Sequence, residues 1–297
     1  MKAVCFGEVL WDVLPTERVA GGAPMNVAIR LQSLGIDSAI ISRIGNDIAG
    51  QLLIDIIQQK QVNTSLIQTD FALPTGEVLV HLDETGTASY NIINPSAWDM
   101  IEYNDVNCKA VAAADVFVFG SLSCRNEVSK NTLFRLLDHA AFKVFDVNLR
   151  APFYSMELIE MLMNRADFIK LNDEELMIVA AAIGATFTNI EASIQFIAAK
   201  TNTEAICVTK GKDGAVLYIN QNFYYHSGFK VTVADTIGAG DSFLAALLSK
   251  LLQSVPHDEL LPFACAVGSM VASKQGANPQ ITTDEVEHLM KDKNQGV

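Results

Sequence analysis

The sequence lacks the residues and runs that mark several classes of protein. Only 5 of its 297 residues are cysteine, scattered without a CxxC pair, so neither a disulfide framework nor a zinc site is indicated. No stretch approaches the roughly 18 consecutive apolar residues of a membrane span. Basic residues are scarce, with 21 Lys and Arg against 34 Asp and Glu and a net charge of −13. We therefore expect neither nucleic acid nor a membrane as a partner, since nucleic acids and anionic membranes bind clustered Lys and Arg.

The rest of the composition is ordinary for a globular protein, with 50% hydrophobic and 19% charged residues. This length accommodates one large α/β domain or two small ones, and we expect a single domain over residues 1–297 with an appendage. The N-terminus reaches Glu8 too early for a signal peptide, which predicts a cytoplasmic protein. A nucleotide ligand is compatible with the negative charge, because salt screens bulk repulsion within about 8 Å.

Strand and helix patterns alternate along most of the chain, which predicts an α/β fold with a mostly parallel sheet. Pro24 is well placed in the first turn of the first helix, which Gly35 ends. We also expect a hairpin at 215–226 and a frayed tail at 291–297. The predicted strands are 2–10, 38–44, 115–120, 143–148, 167–171 and 205–209, and the predicted helices include 25–34, 47–60, 126–141, 155–164, 173–182, 189–200, 258–274 and 283–291.

Polar residues follow several of the predicted strands at the point where each strand ends. The carboxyl ends of parallel strands lie on one rim of a sheet, where ligands bind in open α/β folds. We therefore expect these residues to gather along a single ligand crevice. They are Asn148 and Arg150, then Asn172 and Glu175, then Lys210 and Gly211.

Between Thr75 and Ile93 the pattern changes to that of a β-hairpin. Residues 76–82 and 87–93 alternate between apolar and polar, and Asp83-Glu84-Thr85-Gly86 joins them. Two such strands inserted into an α/β chain leave one face uncovered. The hairpin is either a flap over a ligand site or an edge hairpin of the main sheet, and the pattern alone does not choose between them.

A glycine-rich turn, Gly238-Ala239-Gly240, leads directly into an apolar helical segment with Asp241 in its first turn. Glycines let a ligand approach the backbone, and the free N–H groups at a helix start attract an anion such as phosphate. A carboxylate in that turn would lie beside the reacting oxygens of a phosphoryl group, so we interpret Asp241 as a catalytic base. Alone, the same motif more often marks a tight turn with a capping Asp.

Two further clusters favour phosphoryl transfer. Asn172 and Glu175, three residues apart at a helix start, share a face that could hold a hydrated magnesium ion. Upstream, Asp12 and Asn26 flank a Gly-Gly pair and offer acceptors and a donor suited to the hydroxyl groups of a sugar. Each cluster also has a purely structural interpretation, as a helix start with acidic or capping residues.

Together these motifs resemble the ribokinase-like, phosphofructokinase-B type family of carbohydrate kinases. Residues 21–28, Gly-Gly-Ala-Pro-Met-Asn-Val-Ala, followed by Gly35 and Gly45, are similar to the N-terminal signature of that family, and residues 235–248 are similar to its C-terminal signature. Two long signatures about 210 residues apart, in the right order, are more specific than either alone. Residues 7–12 and 145–150 look most like those of bacterial fructokinases.

The resemblance implies a three-layer sandwich, in which helices flank a mostly parallel sheet, with a small β-lid from about 11–20 and 75–98. It makes the hairpin a lid, and because family members often pair their lids, it implies a homodimer. It also implies ATP and Mg²⁺ as cofactors and leaves open whether a monovalent cation is needed.

The resemblance also assigns roles to individual residues. Asp241 corresponds to the base of the family, with Gly238, Ala239 and Gly240 as its anion hole. Asn172 and Glu175 match the motif that holds magnesium and phosphate through water. The nucleotide contacts carried over are Asn172, Lys210, Gly211, Gly238, Gly240, Gly276 and Asn278, and the contacts with the sugar or transferred phosphate are Asp12, Gly22, Asn26, Arg150 and Trp98.

The implied function is transfer of the γ-phosphate of ATP to a primary hydroxyl of a small sugar, with fructose as the first choice. A kinase for ribose, a keto-deoxy sugar acid or a nucleoside is the alternative, because specificity depends on lid side chains that spacing does not determine. A non-catalytic sugar or nucleotide sensor is the third interpretation. A degenerate sensor would have lost the base or the glycine turn, and this chain retains Asp241, Gly238 and Gly240.

Overall fold

The computed structural model describes residues 1–82, 88–186 and 189–292, and within these ranges no helix is long and apolar enough to cross a membrane. The strands are β1 (Lys2–Phe6), β2 (Leu10–Val13), β3 (Arg18–Gly21), β4 (Asp37–Gly45), β5 (Ile67–Asp70), β6 (Gly76–Leu82), β7 (Ala88–Ile92), β8 (Val116–Gly120), β9 (Lys143–Asp146), β10 (Phe168–Asn172), β11 (Ala205–Thr209), β12 (Ala215–Ile219) and β13 (Asn222–His226). The α-helices are α1 (Ala23–Ser33), α2 (Ile48–Gln59), α3 (Asp105–Ala112), α4 (Glu127–Leu137), α5 (Met156–Met163), α6 (Asp173–Ala182), α7 (Ile190–Thr201), α8 (Ala239–Leu252), α9 (His257–Ala272) and α10 (Thr283–Asp292).

The central sheet has nine strands in the order β13-β12-β11-β10-β9-β8-β1-β4-β5. Neighbours from β11 to β5 are parallel, and the β12–β13 hairpin adds an antiparallel edge. Successive side chains enter different cores: Val118 packs into one apolar cluster and Phe119, stacked on Phe145 with ring centroids 5.3 Å apart, into another. A sheet buried on both faces needs helices on both faces. The predicted three-layer sandwich is therefore confirmed.

Most predicted elements form within a residue or two of their expected bounds, but the helix predicted over 126–141 ends at Leu137, and the first strand is also shorter than predicted. It ends at Phe6, where Gly7 takes a φ of 141°, and residues 10–13 form β2 in a different sheet. Two elements were not predicted, β5 and α3. Both have weak apolar patterns: of the four residues of β5 only Asp70 is buried, and α3 buries only Asn107 and Val111.

The segments predicted to form a lid make a separate four-stranded sheet, in the order β3-β2-β6-β7. The pairs β2–β3 and β6–β7 are antiparallel and the middle pair, β2–β6, is parallel. Because β6 and β7 pair with β2 instead of the main sheet, the alternative of an edge hairpin is wrong. The predicted turn at 83–86 lies outside the described residues, as do residues 293–297 of the predicted tail. A cluster of Leu10, Val78, Ile92, Trp98 and Leu122 packs at the base of this sheet.

Candidate active site

The glycine-rich turn begins α8 as the sequence predicts. Gly238 caps the helix with a left-handed φ of 72°, and a Cβ there would collide with the carbonyl oxygen of Ala277, so only glycine fits. The carboxylate of Asp235 accepts hydrogen bonds from the N–H groups of Ile237 (3.0 Å) and Gly276 (3.1 Å). Asp235 thus holds the turn against the segment that carries two predicted nucleotide contacts, Gly276 and Asn278.

Asp241 lies in the first turn of α8, two residues after Ala239 begins the helix. Its Oδ2 accepts a hydrogen bond of 2.8 Å from Nδ2 of Asn26 on α1, 215 residues away in the chain. Desolvation and the nearby carboxylate of Asp146 raise the pKa of Asp241 to about 6, while Lys170, Asn26 and Arg150 act in the opposite direction. The carboxylate is therefore ionised near neutral pH and has a pKa suited to accepting a proton.

An ion pair between Lys170 and Asp146 lies beneath this turn and was not identified from the sequence. Nζ of Lys170 lies 3.0 and 3.3 Å from the two carboxylate oxygens of Asp146, and both residues are buried. The same Nζ lies 3.6 Å from the position that a Cβ on Gly240 would take. Burial alone would lower the pKa of Lys170, but the carboxylates of Asp146, Asp241 and Glu175 raise it above its ordinary value. A permanent positive charge therefore borders the predicted anion hole.

A sequence signal for this pair exists. Lys170 interrupts the apolar strand β10, Asp146 ends the apolar strand β9, and the two residues are register partners in adjacent parallel strands. Unlike charges on two buried strands are costly unless they meet. The pairing is visible only once the strand order is known.

Asn172 and Glu175 meet at the start of α6, but they form a capping box. Asn172 Oδ1 accepts from the N–H of Glu175 (2.8 Å), and Glu175 Oε2 accepts from the N–H of Asn172 (2.9 Å). Glu175 Oε1 also accepts from the N–H of Leu149 (2.8 Å). Each oxygen has a further lone pair for a water molecule, so the predicted magnesium role stays a prediction. In the described ranges no group of three or more His, Cys, Asp or Glu could hold a metal ion by itself.

The predicted sugar contacts fall in different places. Desolvation raises the pKa of Asp12, on β2, to about 6. The positive charge of Arg150 lowers this pKa and the carboxylate of Asp241 raises it, so the three charged groups interact electrostatically. Arg150 is exposed after β9 and donates to its neighbouring carbonyl, Leu149 O, at 3.1 Å. Gly22 has a φ of 112° and approaches the backbone of Glu8 so closely that a Cβ would collide with the carbonyl oxygen there.

Trp98 is fully buried. The guanidinium of Arg125 lies 3.8 Å above its ring centroid, between Trp98 and Phe153, and forms a buried ion pair with Asp99 at 2.6 Å. A sandwiched guanidinium in a buried ion pair rigidifies the base of the lid sheet. This placement favours packing as the role of Trp98, and direct contact with a sugar stays a prediction.

Glu8 is a second buried carboxyl beside the site that was not assigned a role from the sequence. It follows β1, is 4% exposed, and its Oε2 has no hydrogen-bond partner among the described residues. Desolvation raises the pKa of Glu8 to about 7, and the carboxylate of Asp241 acts in the same direction. Hydrogen bonds from the N–H groups of Glu8 and Ala23 and the positive charge of Arg150 lower it. The effect of Arg150 and Asp241 on Glu8 is visible only in the tertiary structure.

The remaining predicted nucleotide contacts lie directly after β11 and in the loop after α9. Lys210 and Gly211 follow β11 directly, and Gly211 takes a φ of 53° with no atom within 4 Å of a Cβ placed on it. Gly276 is equally open, with a φ of 79°. Asn278 instead turns inward, and its Nδ2 donates to Asn26 Oδ1 at 2.6 Å. A glycine with open space around it leaves room for a ligand close to the backbone.

Comparison with known proteins agrees with this geometry. The model of the pfkB family carbohydrate kinases matches residues 3–284. A probable fructokinase-4 from Arabidopsis thaliana is 31% identical over 97% of this chain and 96% of its own length, and fructokinase-2 from Solanum lycopersicum is 31% identical over 97% and 95%. The crystal structure of the fructokinase from Xylella fastidiosa with bound ATP has a TM-score of 0.87 at 26% identity and covers 99% of both chains.

A mostly parallel sheet with a glycine-rich helix start and a half-buried carboxylate in the first turn of that helix is the arrangement expected of an α/β phosphotransferase. With the family model covering nearly the whole chain, the class becomes more specific. This chain belongs to the pfkB family of carbohydrate kinases and is a sugar kinase.

Proposed function

We propose that this protein is a fructokinase that transfers the γ-phosphate of ATP to a primary hydroxyl of fructose. The observation that carries the proposal is the carboxylate of Asp241, held by Asn26 at the start of α8 directly after the anion-hole glycines. The fructokinase names of the plant and bacterial relatives support the choice of sugar. Arg150 and Asp12 are the charged residues that we assign to the sugar side of the crevice.

In the proposed reaction the sugar hydroxyl gives its proton to Asp241 as its oxygen bonds to the γ-phosphorus, and the bond from that phosphorus to the bridging oxygen of ADP breaks. The transition state for such transfers is loose, so positioning and charge neutralisation contribute more than a strong base. A carboxylate with a pKa of about 6 is adequate for this proton. The N–H groups after Gly238 and the ammonium of Lys170 would stabilise the negative charge on the transferred group.

We also assign a magnesium ion to the nucleotide phosphates, held through water by Glu175 and Asn172. One carboxylate and one amide oxygen, both fixed by the capping box, fit an ion that keeps several of its own waters. When bound, the ion would neutralise charge between the β- and γ-phosphates. Measuring turnover at increasing potassium concentration would test whether a monovalent cation is required.

The small sheet is proposed as a lid that closes over the sugar and excludes water. We further propose that two copies pair through their lids in the cytoplasm. Tyr90, on the outer strand β7, is 64% exposed, and an exposed aromatic residue on an edge strand is a common feature of contact surfaces. A molecular mass of one chain in solution would refute the dimer.

The test is release of ADP from ATP and magnesium over fructose, glucose, ribose, mannose, a keto-deoxy sugar acid and adenosine. We expect selective turnover of fructose, and Asp241→Asn should lower it by about 10²- to 10⁴-fold, the usual contribution of a general base. Asp284→Asn is a matched control, because Asp284 also lies in the first turn of a helix but is exposed on α10.

Three other outcomes are informative. Strong turnover of a different member of the panel would keep the mechanism and replace fructose. Near-normal turnover by the Asp241→Asn variant would remove Asp241 from the mechanism. Tight sugar binding by the wild-type protein without ADP release would establish a sensor and refute the proposed kinase.

A further inference from the structure

A chain of two hydrogen bonds links the loop after α9 to the proposed base. Asn278 Nδ2 donates to Asn26 Oδ1 at 2.6 Å, and Asn26 Nδ2 donates to Asp241 Oδ2 at 2.8 Å. Asn26 is 4% exposed, so both polar ends of its amide are used inside the protein. The three residues come from three elements and lie 215 and 252 residues apart along the chain.

The direction of this chain follows from which groups can donate. An ionised Asp241 only accepts hydrogen bonds, so the end of Asn26 that faces it must be the NH₂ group. The end that remains is the carbonyl oxygen, which needs a donor, and Asn278 supplies one. If Asn278 accepted instead, the amide of Asn26 would turn over and place its oxygen against the carboxylate of Asp241.

A second bridge holds the same three elements in place. Arg30 lies one turn further along α1. Its Nη2 donates to the carbonyl oxygen of Pro279 at 3.0 Å, and its Nε donates to Oγ of Ser242 at 3.1 Å. Pro279 and Ser242 are the chain neighbours of Asn278 and Asp241, and Arg30 and Ser242 are buried. The distance between Asn278 and Asp241 is therefore set independently of Asn26.

We propose that Asn278 is a positioning residue for the reaction: by holding the amide of Asn26 in one orientation, it keeps the N–H donor of Asn26 on the carboxylate of Asp241. One oxygen of Asp241 is then fixed and the other is directed to the substrate hydroxyl. The proposal rests on the proposed function of Asp241 as the base. The loop that carries Asn278 is also predicted to contact the nucleotide. The nucleotide side of the crevice would therefore determine the orientation of the Asp241 carboxylate.

The expected signature is a change in the pH dependence of the reaction. The bond from Asn26 lowers the pKa of Asp241, so losing or reversing it should move the acid limb of kcat to higher pH. The other charged groups that act on Asp241 are Asp146 on β9, Lys170 on β10, Arg150 after β9, and Glu8 and Asp12 on the lid side. None of them is altered by a substitution at position 278.

The decisive variants are Asn278→Asp, which replaces the donor by an acceptor, and Asn278→Ala, which removes it. For Asn278→Asp we expect the acid limb to move up by about one pH unit, so that kcat falls about tenfold near pH 5 and about twofold near pH 7. For Asn278→Ala we expect a shift in the same direction of a few tenths of a unit, since nothing forces the amide to turn. Gln280→Glu is the matched control: it adds the same charge two residues away on an exposed side chain and should leave the limb unchanged.

Carbon-13 NMR titration of Asp241 gives a readout that does not depend on turnover and should show the same order of pKa values. Equal shifts in Asn278→Asp and Gln280→Glu would reduce the effect to added charge and overturn the proposal. A wild-type acid limb in Asn278→Ala would also overturn it, even if Asn278→Asp did not fold. If Asp241→Asn were fully active, the proposed base itself would be wrong, whereas an inactive Asp241→Asn with unshifted Asn278 variants would refute only the role of Asn278.

Discussion

Replacing Lys170 by methionine tests whether the buried ammonium near the proposed anion hole acts on the reaction or only on the fold. Its Nζ is 3.0 Å from a carboxylate oxygen of Asp146 and 3.6 Å from the Cβ position of Gly240, so it can serve either purpose. Methionine has a similar length and no charge. The substitution therefore removes the charge without leaving a large cavity.

Two effects are expected, a loss of stability and a loss of turnover, and each has its own physical cause. Lys170→Met leaves the carboxylate of Asp146 buried without its partner, which costs about 3–5 kcal/mol of the free energy of unfolding. If the ammonium of Lys170 stabilises the transferred phosphate as proposed, removing it should lower kcat by about 10²- to 10³-fold, as for the loss of one oxyanion-hole donor. The double variant Lys170→Met/Asp146→Leu replaces the whole pair by apolar groups, and such replacements are often neutral or stabilising.

Urea unfolding measures the first effect and the rate of ADP release at saturating substrates measures the second. We expect the single variant to be unstable and slow, and the double variant to recover stability while remaining slow. Recovery of both stability and turnover in the double variant would show that Lys170 is purely structural. It would refute the assignment of its charge to the reaction.

Three further outcomes are expected. The value of kcat/KM should fall as pH drops through about 6, because protonation of Asp241 removes the base; a flat profile between about pH 5 and 7 would contradict this. Glu8→Gln should raise the free energy of unfolding near pH 8 by up to about 3 kcal/mol, measured in urea, and leave it unchanged near pH 4. The sign follows from the raised pKa of Glu8, which is about 7 in the folded state and 4.5 in the unfolded chain. The protonated carboxyl therefore carries no penalty in the folded protein below about pH 4.5, and the ionised carboxylate destabilises the fold as pH rises through 7. A loss of stability at both pH values would show that the carboxyl of Glu8 is needed for packing. Gly238→Ala should destabilise the fold by about 1–3 kcal/mol and lower turnover, because its φ of 72° is unfavourable for alanine and its Cβ would meet Ala277. Gly35→Ala is its control, with a φ of 83° and no atom within 4 Å of the added Cβ, and an equal cost in both would remove the collision from the argument.

Local signals in the sequence predicted much of the fold. Helix α6 begins at Asp173 after a capping Asn172, as its acidic first turn indicated, and the strand 205–209 forms as predicted. The residue pattern identified the hairpin but not its place, because alternation predicts strands and not the sheet they join; the family resemblance supplied its place in a small separate sheet. The strand β5 and the helix α3 were missed, since each buries too few apolar residues to produce a clear period.

What the sequence by itself determined is the chemistry that lies in contiguous residues. The glycine turn predicted to be the anion hole, the carboxylate of Asp241 in the first turn of its helix and the capping box of Asn172 and Glu175 are all short-range patterns. Only the tertiary structure decided which distant side chains meet them: Lys170 with Asp146 through the order of two parallel strands, and Asn278 with Asn26 through the packing of a loop on α1. Periodicity and capping act over a few residues, whereas the pairing of buried charges depends on strand order and helix packing that no local pattern encodes.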